Sequence, residues 1–161
     1  MKVRPFEKRD WGTVREIYQD GIETGLATFE TQAPDWETWD NKFLKKCRLI
    51  VEEKKQVIGW AVLSAVSKRA VYRGVAEVSI YVDLKCTQKG IGSVLMENLI
   101  KISEAENFWT LQSTIFPENK SSIRVHEKFG FRKVGRRERI AMRDGKWKDT
   151  LLFERRSNLI N

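Results

Sequence analysis

The chain has 161 residues, with 30 Lys or Arg against 22 Asp or Glu, so its formal net charge is +8. A hydrophobic fraction of 41% with six Trp excludes a disordered chain, and no apolar run approaches the roughly 20 residues of a transmembrane helix. Two Cys and one His cannot form a disulfide framework or a Cys/His zinc cluster, so we expect a reducing, cytoplasmic compartment and no metal. The length predicts one domain over residues 1–161, and we expect no membrane association.

The N-terminal half predicts a strand, two helices and a β-hairpin, in that order. Asp10 and Asp35 stand directly before amphipathic stretches, a position at which an Asp side chain commonly caps a helix. The segment 26–33 between the two helices is predicted as a loop. The predicted strands, each rich in apolar or β-branched residues, are Lys2–Pro5, Arg48–Glu52 and Val57–Val66.

The C-terminal half alternates strands with helices and ends in a second hairpin. Apolar residues recur with helical spacing from Ile91 to Ile102, and Gly130 is a candidate C-cap for a helix over Ser121–Phe129. The predicted strands are Val75–Val82, Trp109–Phe116, Lys133–Met142 and Trp147–Phe153. This order predicts a mixed α/β fold whose sheet is partly antiparallel.

The segment Gln88–Ser93 reads Gln-Lys-Gly-Ile-Gly-Ser and lies between a strand and a strongly periodic helix. Its two glycines let the backbone approach an anion, the free N–H groups of a helix start point at that anion, and Lys89 adds positive charge. The segment is neither a Walker loop nor a three-glycine dinucleotide fingerprint. Spacing alone leaves two interpretations open, a phosphate cradle and a helix start whose glycines only turn the chain.

Two segments resemble motifs of the GNAT N-acetyltransferase superfamily. Val82–Gly92 is similar to the Q/R-x-x-G-x-G/A acyl-CoA signature, and Asn119–Phe131 to the motif N-x-x-S/A-x-x-x-Y/H-E-K-x-G-F. The resemblance implies the GNAT fold, an α/β (α+β) fold with a mixed, mostly antiparallel sheet of about seven strands flanked by about four helices, and acetyl-CoA as co-substrate. It implies a backbone N–H at or beside Val82 as the candidate oxyanion donor. The cofactor-binding residues that it implies are Val82, Gln88, Lys89, Gly90, Ile91, Gly92, Ser93, Asn119 and Ser122.

A narrower resemblance links the chain to phosphinothricin and methionine sulfoximine/sulfone N-acetyltransferases. It rests on Ala27–Thr31, Tyr72–Val82 and Arg143–Asp149, and departs from well-known members at Asp144, where they carry a His proposed to be catalytic. It implies a homodimer whose partner loops help to line the acceptor pocket. The candidate acceptor-binding residues are Phe29, Arg69, Tyr72 and Arg73. The aromatic residues would form walls of the pocket, and the arginines would bind the carboxylate and the second anionic group of the acceptor.

Glu77 is the candidate general base. Even-numbered positions of Val75–Val82 are apolar, so alternation places Glu77 on the opposite face of the strand, where it takes an ammonium proton directly or through water, or is an ordinary solvent-facing Glu. His126, the single histidine, occupies the position of a Tyr proposed in relatives to protonate the leaving thiolate. Packing or cofactor contact is the favoured interpretation of His126, and acid catalysis stays open.

The two resemblances imply an enzyme that transfers acetyl from acetyl-CoA to the α-amine of phosphinothricin, methionine sulfoximine or methionine sulfone, directly in a ternary complex, with a detoxification role. The alternatives are another amine (a protein N-terminus, a polyamine or an aminoglycoside), a non-catalytic acyl-CoA sensor, and a basic nucleic-acid-binding module. The sequence has no helix-turn-helix, zinc or RNP pattern, so we expect no nucleic-acid partner.

Overall fold

A computed structural model describes residues 1–161 and contains a seven-stranded sheet with four α-helices. The helices are α1 (Trp11–Glu23), α2 (Trp36–Lys42), α3 (Ile91–Ala105) and α4 (Lys120–Lys128). The strands are β1 (Lys2–Pro5), β2 (Leu49–Glu53), β3 (Gln56–Ala65), β4 (Val75–Val82), β5 (Thr110–Ile115), β6 (Arg132–Arg143) and β7 (Lys146–Arg156). The strands lie in the order β1-β2-β3-β4-β5-β7-β6, and every neighbouring pair except β4–β5 is antiparallel, which confirms the predicted fold class.

The parallel pair β4–β5 is joined over a short distance only. Its ladder runs from Val75 opposite Thr110 to Glu77 opposite Gln112. Beyond these residues β4 stays paired with β3 as far as Val82, and β5 stays paired with β7 as far as Ile115. Because each strand follows its outer neighbour, the two strands diverge and leave a cleft in the middle of the sheet.

Two apolar cores hold helices against the two faces of the sheet. On one face, α1 and α2 cover β2 and β3 with an aromatic core in which Trp39 and Trp60 are fully buried. On the other face, α3 contributes Ile91, Leu95 and Leu99 to the larger core. Burying side chains of this size is the dominant favourable contribution to folding, at about 1.5–3 kcal/mol each. No helix is long and apolar enough to cross a bilayer.

Three local predictions need correction. Asp10 does not cap α1, because its buried carboxylate instead accepts bonds from the Arg4 guanidinium at 2.8 and 2.9 Å and from the Glu7 N–H at 2.8 Å. The amphipathic stretch after Asp35 predicts a second helix that runs on through Phe43 and Leu44, but this helix ends at Lys42. Trp109 lies just before β5 rather than inside it. By contrast, the predicted cap at Asp35 is confirmed by a bond from the Thr38 N–H at 2.9 Å.

The hairpin β6–β7 turns at Asp144-Gly145, where both residues have positive φ, 52° and 74°. Asp and Gly are the residue types that tolerate this conformation in two-residue hairpin turns. Further along, the register of β6 shifts between Arg137 and Ala141. Asp149 stabilises that irregularity, because its carboxylate accepts from the Arg139 N–H at 2.8 Å and from the Arg136 guanidinium.

Candidate active site

A cavity of about 640 Å³ occupies the cleft between the diverging strands. Its walls come from the end of β4, the turn before α3, the first residues of α3, the length of α4 and the segment that follows α1. Segments from both faces of the sheet therefore meet at the cavity, which passes through the sheet. The lining residues outside the predicted set include Thr24, Leu26, Ala27, Tyr81, Thr87, Arg124 and Lys128.

The turn before α3 presents main-chain donors to this cavity. Gly90 is the N-cap of α3 with φ of 74°, and an added Cβ would meet no atom within 4 Å, so the positive φ rather than crowding explains the glycine. No side chain caps the helix there. The first N–H groups of α3 are therefore free to bind an anion, as a phosphate-binding turn requires.

Eight of the nine predicted cofactor-binding residues line the cavity. They are Val82, Gln88, Gly90, Ile91, Gly92, Ser93, Asn119 and Ser122. The exception is Lys89, whose ammonium lies 3.7 Å from the Glu53 carboxylate and which is not a lining residue. The first position of the acyl-CoA signature, Gln or Arg in the family, is Thr87 in this chain, and Thr87 also lines the cavity.

Asn119 connects two walls of the cavity. It is the N-cap of α4, where its Oδ1 accepts from the Ser122 N–H at 3.3 Å. Its Nδ2 donates to the Leu26 carbonyl at 3.1 Å. One side chain thus holds both the start of α4 and the segment after α1.

His126 is buried on α4, with both ring nitrogens in hydrogen bonds. Nδ1 lies 2.7 Å from the Ser122 carbonyl, which can only accept, so Nδ1 carries the proton. Nε2 then accepts from the Ser113 hydroxyl on β5 at 2.7 Å. Burial lowers the pKa of His126 below its ordinary value of 6.5, and the imidazole is therefore neutral at pH 7.

Glu77 lies at the point where β4 and β5 separate. Its Oε1 accepts from the Gln112 side chain at 3.3 Å and from the Thr114 hydroxyl at 3.1 Å, both on β5. Glu77 does not line the cavity, but strand alternation places it on the same face of β4 as Tyr81, which does. The second carboxylate oxygen makes no hydrogen bond to the protein.

The predicted acceptor-binding residues fall into two groups, neither of which lines the cavity. Phe29 packs edge-on against Phe116 just after β5, with ring centroids 4.9 Å apart. The other three lie on the connection between β3 and β4, where the Arg69 guanidinium lies over Tyr72 at 5.7 Å and that of Arg73 over Trp109 at 5.4 Å. The structure therefore does not bring Arg69, Tyr72 and Arg73 together with Phe29.

Several lining residues were missed by the sequence analysis. Arg124 and Lys128 are spaced i, i+4 on α4, and that spacing within the second motif was a usable signal of a basic helix face. Tyr81 gave no such signal, because its place at the cavity depends on its close contact with Gly21 of α1. Burial raises the pKa of Tyr81, so its phenol stays protonated.

The family model described as an acetyltransferase (GNAT) domain matches residues 3–152. The chain belongs to the GNAT family of acetyltransferases. It is similar to YwnH of Bacillus subtilis (strain 168), at 32% identity over 96% of this chain and 98% of that protein. It is also similar to the phosphinothricin N-acetyltransferase of Streptomyces viridochromogenes, at 27% identity over 96% of this chain and 87% of that protein.

Among solved structures, a GNAT superfamily phosphinothricin acetyltransferase from Sinorhizobium meliloti in complex with acetyl-CoA matches with a TM-score of 0.90. The sequence identity is 28%, over 99% of this chain and 90% of that one. This GNAT enzyme is an acetyl-CoA-dependent N-acetyltransferase. Its cleft fits this co-substrate, because it combines free N–H groups and two cations for phosphates with apolar side chains along the β4 wall.

Proposed function

We propose that this GNAT enzyme acetylates the α-amine of a small amino-acid analogue, such as phosphinothricin, methionine sulfoximine or methionine sulfone, by direct transfer in a ternary complex. Acetyl-CoA supplies the activated acetyl group as a thioester. The observation that carries the proposal is Glu77, a carboxylate fixed at the end of the short parallel ladder, on the face of β4 that leads to the cavity.

In this proposal Glu77 is the general base. Gln112 and Thr114 fix Oε1 by hydrogen bonds, which leaves Oε2 to accept the ammonium proton of the acceptor. Proton transfer to a positioned carboxylate contributes typically about 10²–10⁴-fold to the rate.

The remaining roles follow the lining of the cavity. The turn Gln88–Ser93 and the start of α4 hold the phosphates, and the N–H of Val82 polarises the acetyl carbonyl. His126 packs α4 against β5 and contacts the cofactor, because a neutral ring with Nδ1–H bound to a carbonyl is poorly placed to donate a proton. In this proposal His126 is therefore not the acid for the departing thiolate.

We also propose that the acceptor contacts Phe29 and that Arg69 and Arg73, on the β3–β4 connection, supply cations for its anionic groups across a homodimer interface, because within one chain that connection and Phe29 lie at opposite ends of β5. Val71 and Tyr72 are strongly exposed on that connection, which supports a homodimer that covers them and brings a partner loop to the acceptor. Two free cysteines support a reducing, cytoplasmic location, and acetylation of an amino-acid analogue there supports a detoxification role.

The experiment is a thiol-release assay with acetyl-CoA and a panel of acceptors: phosphinothricin, methionine sulfoximine, methionine sulfone, spermidine and a peptide with a free N-terminus. Wild type is compared with Glu77→Gln and with Glu97→Gln, a matched control on the exposed side of α3. We expect turnover of the amino-acid analogues, a fall in kcat of about 10²-fold or more in Glu77→Gln, and no change in Glu97→Gln.

Three results would contradict the proposal. Equal kcat in wild type and Glu77→Gln would remove Glu77 as the base. Acetylation of spermidine or of the peptide alone would replace the acceptor class, and binding of acetyl-CoA without turnover of any acceptor would indicate an acyl-CoA sensor.

A further inference from the structure

The segment 22–28 forms one wall of the cavity but belongs to no regular element except at its first two residues. It follows the end of α1, and Thr24, Leu26 and Ala27 line the cavity. A loop of this kind is held by whatever side chains bind its main-chain groups, because it has no ladder or helix to do so. The N–H groups of Thr24, Gly25 and Leu26 are bound locally, at the end of α1 or by the Thr24 hydroxyl, so the remaining main-chain carbonyls of the segment depend on donors from elsewhere in the fold.

Arg143, the last residue of β6, supplies two of these donors. One terminal guanidinium nitrogen donates to the Ile22 carbonyl at 2.7 Å and the other to the Thr28 carbonyl at 2.8 Å. One planar fork thus binds both ends of the segment and fixes the distance between them. The Ile22 carbonyl belongs to the last turn of α1, where a cation is favoured by the helix dipole.

Because Arg143 is buried, we infer that its role is to make these two hydrogen bonds to main-chain carbonyls. Its side chain is only 8% exposed, and its Nε makes no hydrogen bond. The one nearby carboxylate is that of Asp144, 3.6 Å from Nε and 77% exposed. A cation buried in this way is unfavourable unless its partners compensate, and here the partners are main-chain carbonyls of a cavity wall.

Asn119 holds the same segment from the other wall through its bond to the Leu26 carbonyl. The three carbonyls, at 22, 26 and 28, are thus bound by side chains from the β6–β7 hairpin and from α4. We propose that Arg143 is a positioning residue, which fixes the segment 22–28 so that Thr24, Leu26 and Ala27 form the acetyl-CoA wall. This inference rests on the acetyl-CoA cleft and not on the acceptor proposed above.

The test compares Arg143→Met and Arg143→Lys with Arg132→Met, a matched control on the same strand whose guanidinium makes one surface ion pair with Glu154. The readouts are the dissociation constant of acetyl-CoA and amide hydrogen exchange over 24–29. We expect Arg143→Met to weaken acetyl-CoA binding about tenfold and to speed exchange in 24–29 alone. Arg143→Lys, which reaches one carbonyl, gives an intermediate result, and Arg132→Met matches wild type.

Unchanged affinity and unchanged exchange in folded Arg143→Met would overturn the proposal, and so would faster exchange spread evenly over the sheet, which indicates general destabilisation. If Arg143→Met does not fold, Asn119→Ser tests the same segment, because Ser still caps α4 but is too short to reach the Leu26 carbonyl. Faster hydrogen exchange confined to amides near residue 26 in Asn119→Ser, together with an intermediate effect of Arg143→Lys, would support the proposal. Amide exchange at wild-type rates in both Asn119→Ser and Arg143→Lys would refute the proposal.

Discussion

At the scale of single residues, His126 shows how burial decides a role that residue type leaves open. Its two hydrogen bonds, to the Ser122 carbonyl and the Ser113 hydroxyl, require a neutral ring with the proton on Nδ1. Protonation would force Nε2 to donate while the ring stays buried. The native state therefore opposes the charged form, and the pKa is lowered for that reason.

This lowered pKa predicts a loss of stability in mild acid. The unfolded chain binds a proton at His126 near pH 6.5 and the folded chain only at lower pH, so the free energy of unfolding falls as pH drops below about 6.5. His126 is the single histidine, so no other side chain of ordinary pKa titrates there. Urea unfolding at pH 7.5 and pH 5.5 measures the effect.

The control for this titration is His126→Gln, which removes the ionisable group. Its stability should vary less than that of wild type between the two pH values, even if it is lower at both. A wild-type stability that is flat over this range would contradict the assignment of a neutral, buried imidazole.

The sequence could predict that His126 lies on a helix, but not which role it has. The deciding partner, Ser113, lies on β5, and nothing in the spacing of the second motif identifies it. Glu77 is the opposite case, because strand alternation alone places it on the face away from the apolar residues. The buried Arg143 was missed because an arginine in a basic chain reads as a surface charge.

At the scale of elements, the contact between α1 and β4 positions one side of the cavity. Gly21 of α1 lies so close to Tyr81 that an added Cβ would be 2.7 Å from the ring carbon Cδ1. Gly12 of the same helix has open space, with nothing within 4 Å of an added Cβ. A side chain would therefore be crowded at Gly21 but not at Gly12, and alanine substitutions at the two positions should have different effects on stability.

Gly21→Ala should lower the free energy of unfolding by about 1–3 kcal/mol, because overpacking outweighs the gain of about 1 kcal/mol in helix propensity. It should also weaken acetyl-CoA binding, since Tyr81 lines the cavity. Gly12→Ala should be neutral or stabilising by up to about 1 kcal/mol. Chemical denaturation and isothermal titration measure both, and equal stability of the two variants would refute the crowding argument.

The existence and order of the elements could be predicted because each strand and helix has its own apolar period. Details that depend on partners distant in sequence could not. The bulge in β6 needs Asp149 from β7, and the second helix ends at Lys42 although its apolar pattern continues, because Phe43 is extended and the Leu44 N–H donates to the Leu63 carbonyl of β3. The anion-binding turn before α3 could be predicted, because its two glycines and the start of the helix are neighbours in the sequence.

At the scale of the whole molecule, two of the cations that contribute to the net charge of +8 lie at the cleft. Arg124 and Lys128 line the cavity and have no ion-pair partner, whereas many other cations of the chain are paired. Acetyl-CoA is an anion, so these two charges favour it directly and also raise its local concentration.

Removing both charges in Arg124→Gln/Lys128→Gln should weaken acetyl-CoA binding about tenfold or more and reduce its dependence on salt. The control Lys133→Gln/Arg137→Gln lowers the net charge by the same two units at exposed, unpaired positions of β6. Titration of each double variant with acetyl-CoA at low and high ionic strength distinguishes a local effect of α4 from an effect of the net charge. If both double variants lose affinity equally, the effect belongs to the overall charge and not to α4.

The divergence of β4 and β5 also has a mechanical consequence. Three residue pairs connect a half-sheet of β1–β4 to a half-sheet of β5, β7 and β6, whereas β3 and β4 share seven. Rotation of one half-sheet against the other therefore disrupts fewer main-chain bonds than any bending within a half. The join with the fewest ladder pairs in the sheet thus lies at the acetyl-CoA cleft, so a change in the width of that cleft would disrupt less of the sheet than a change within either half.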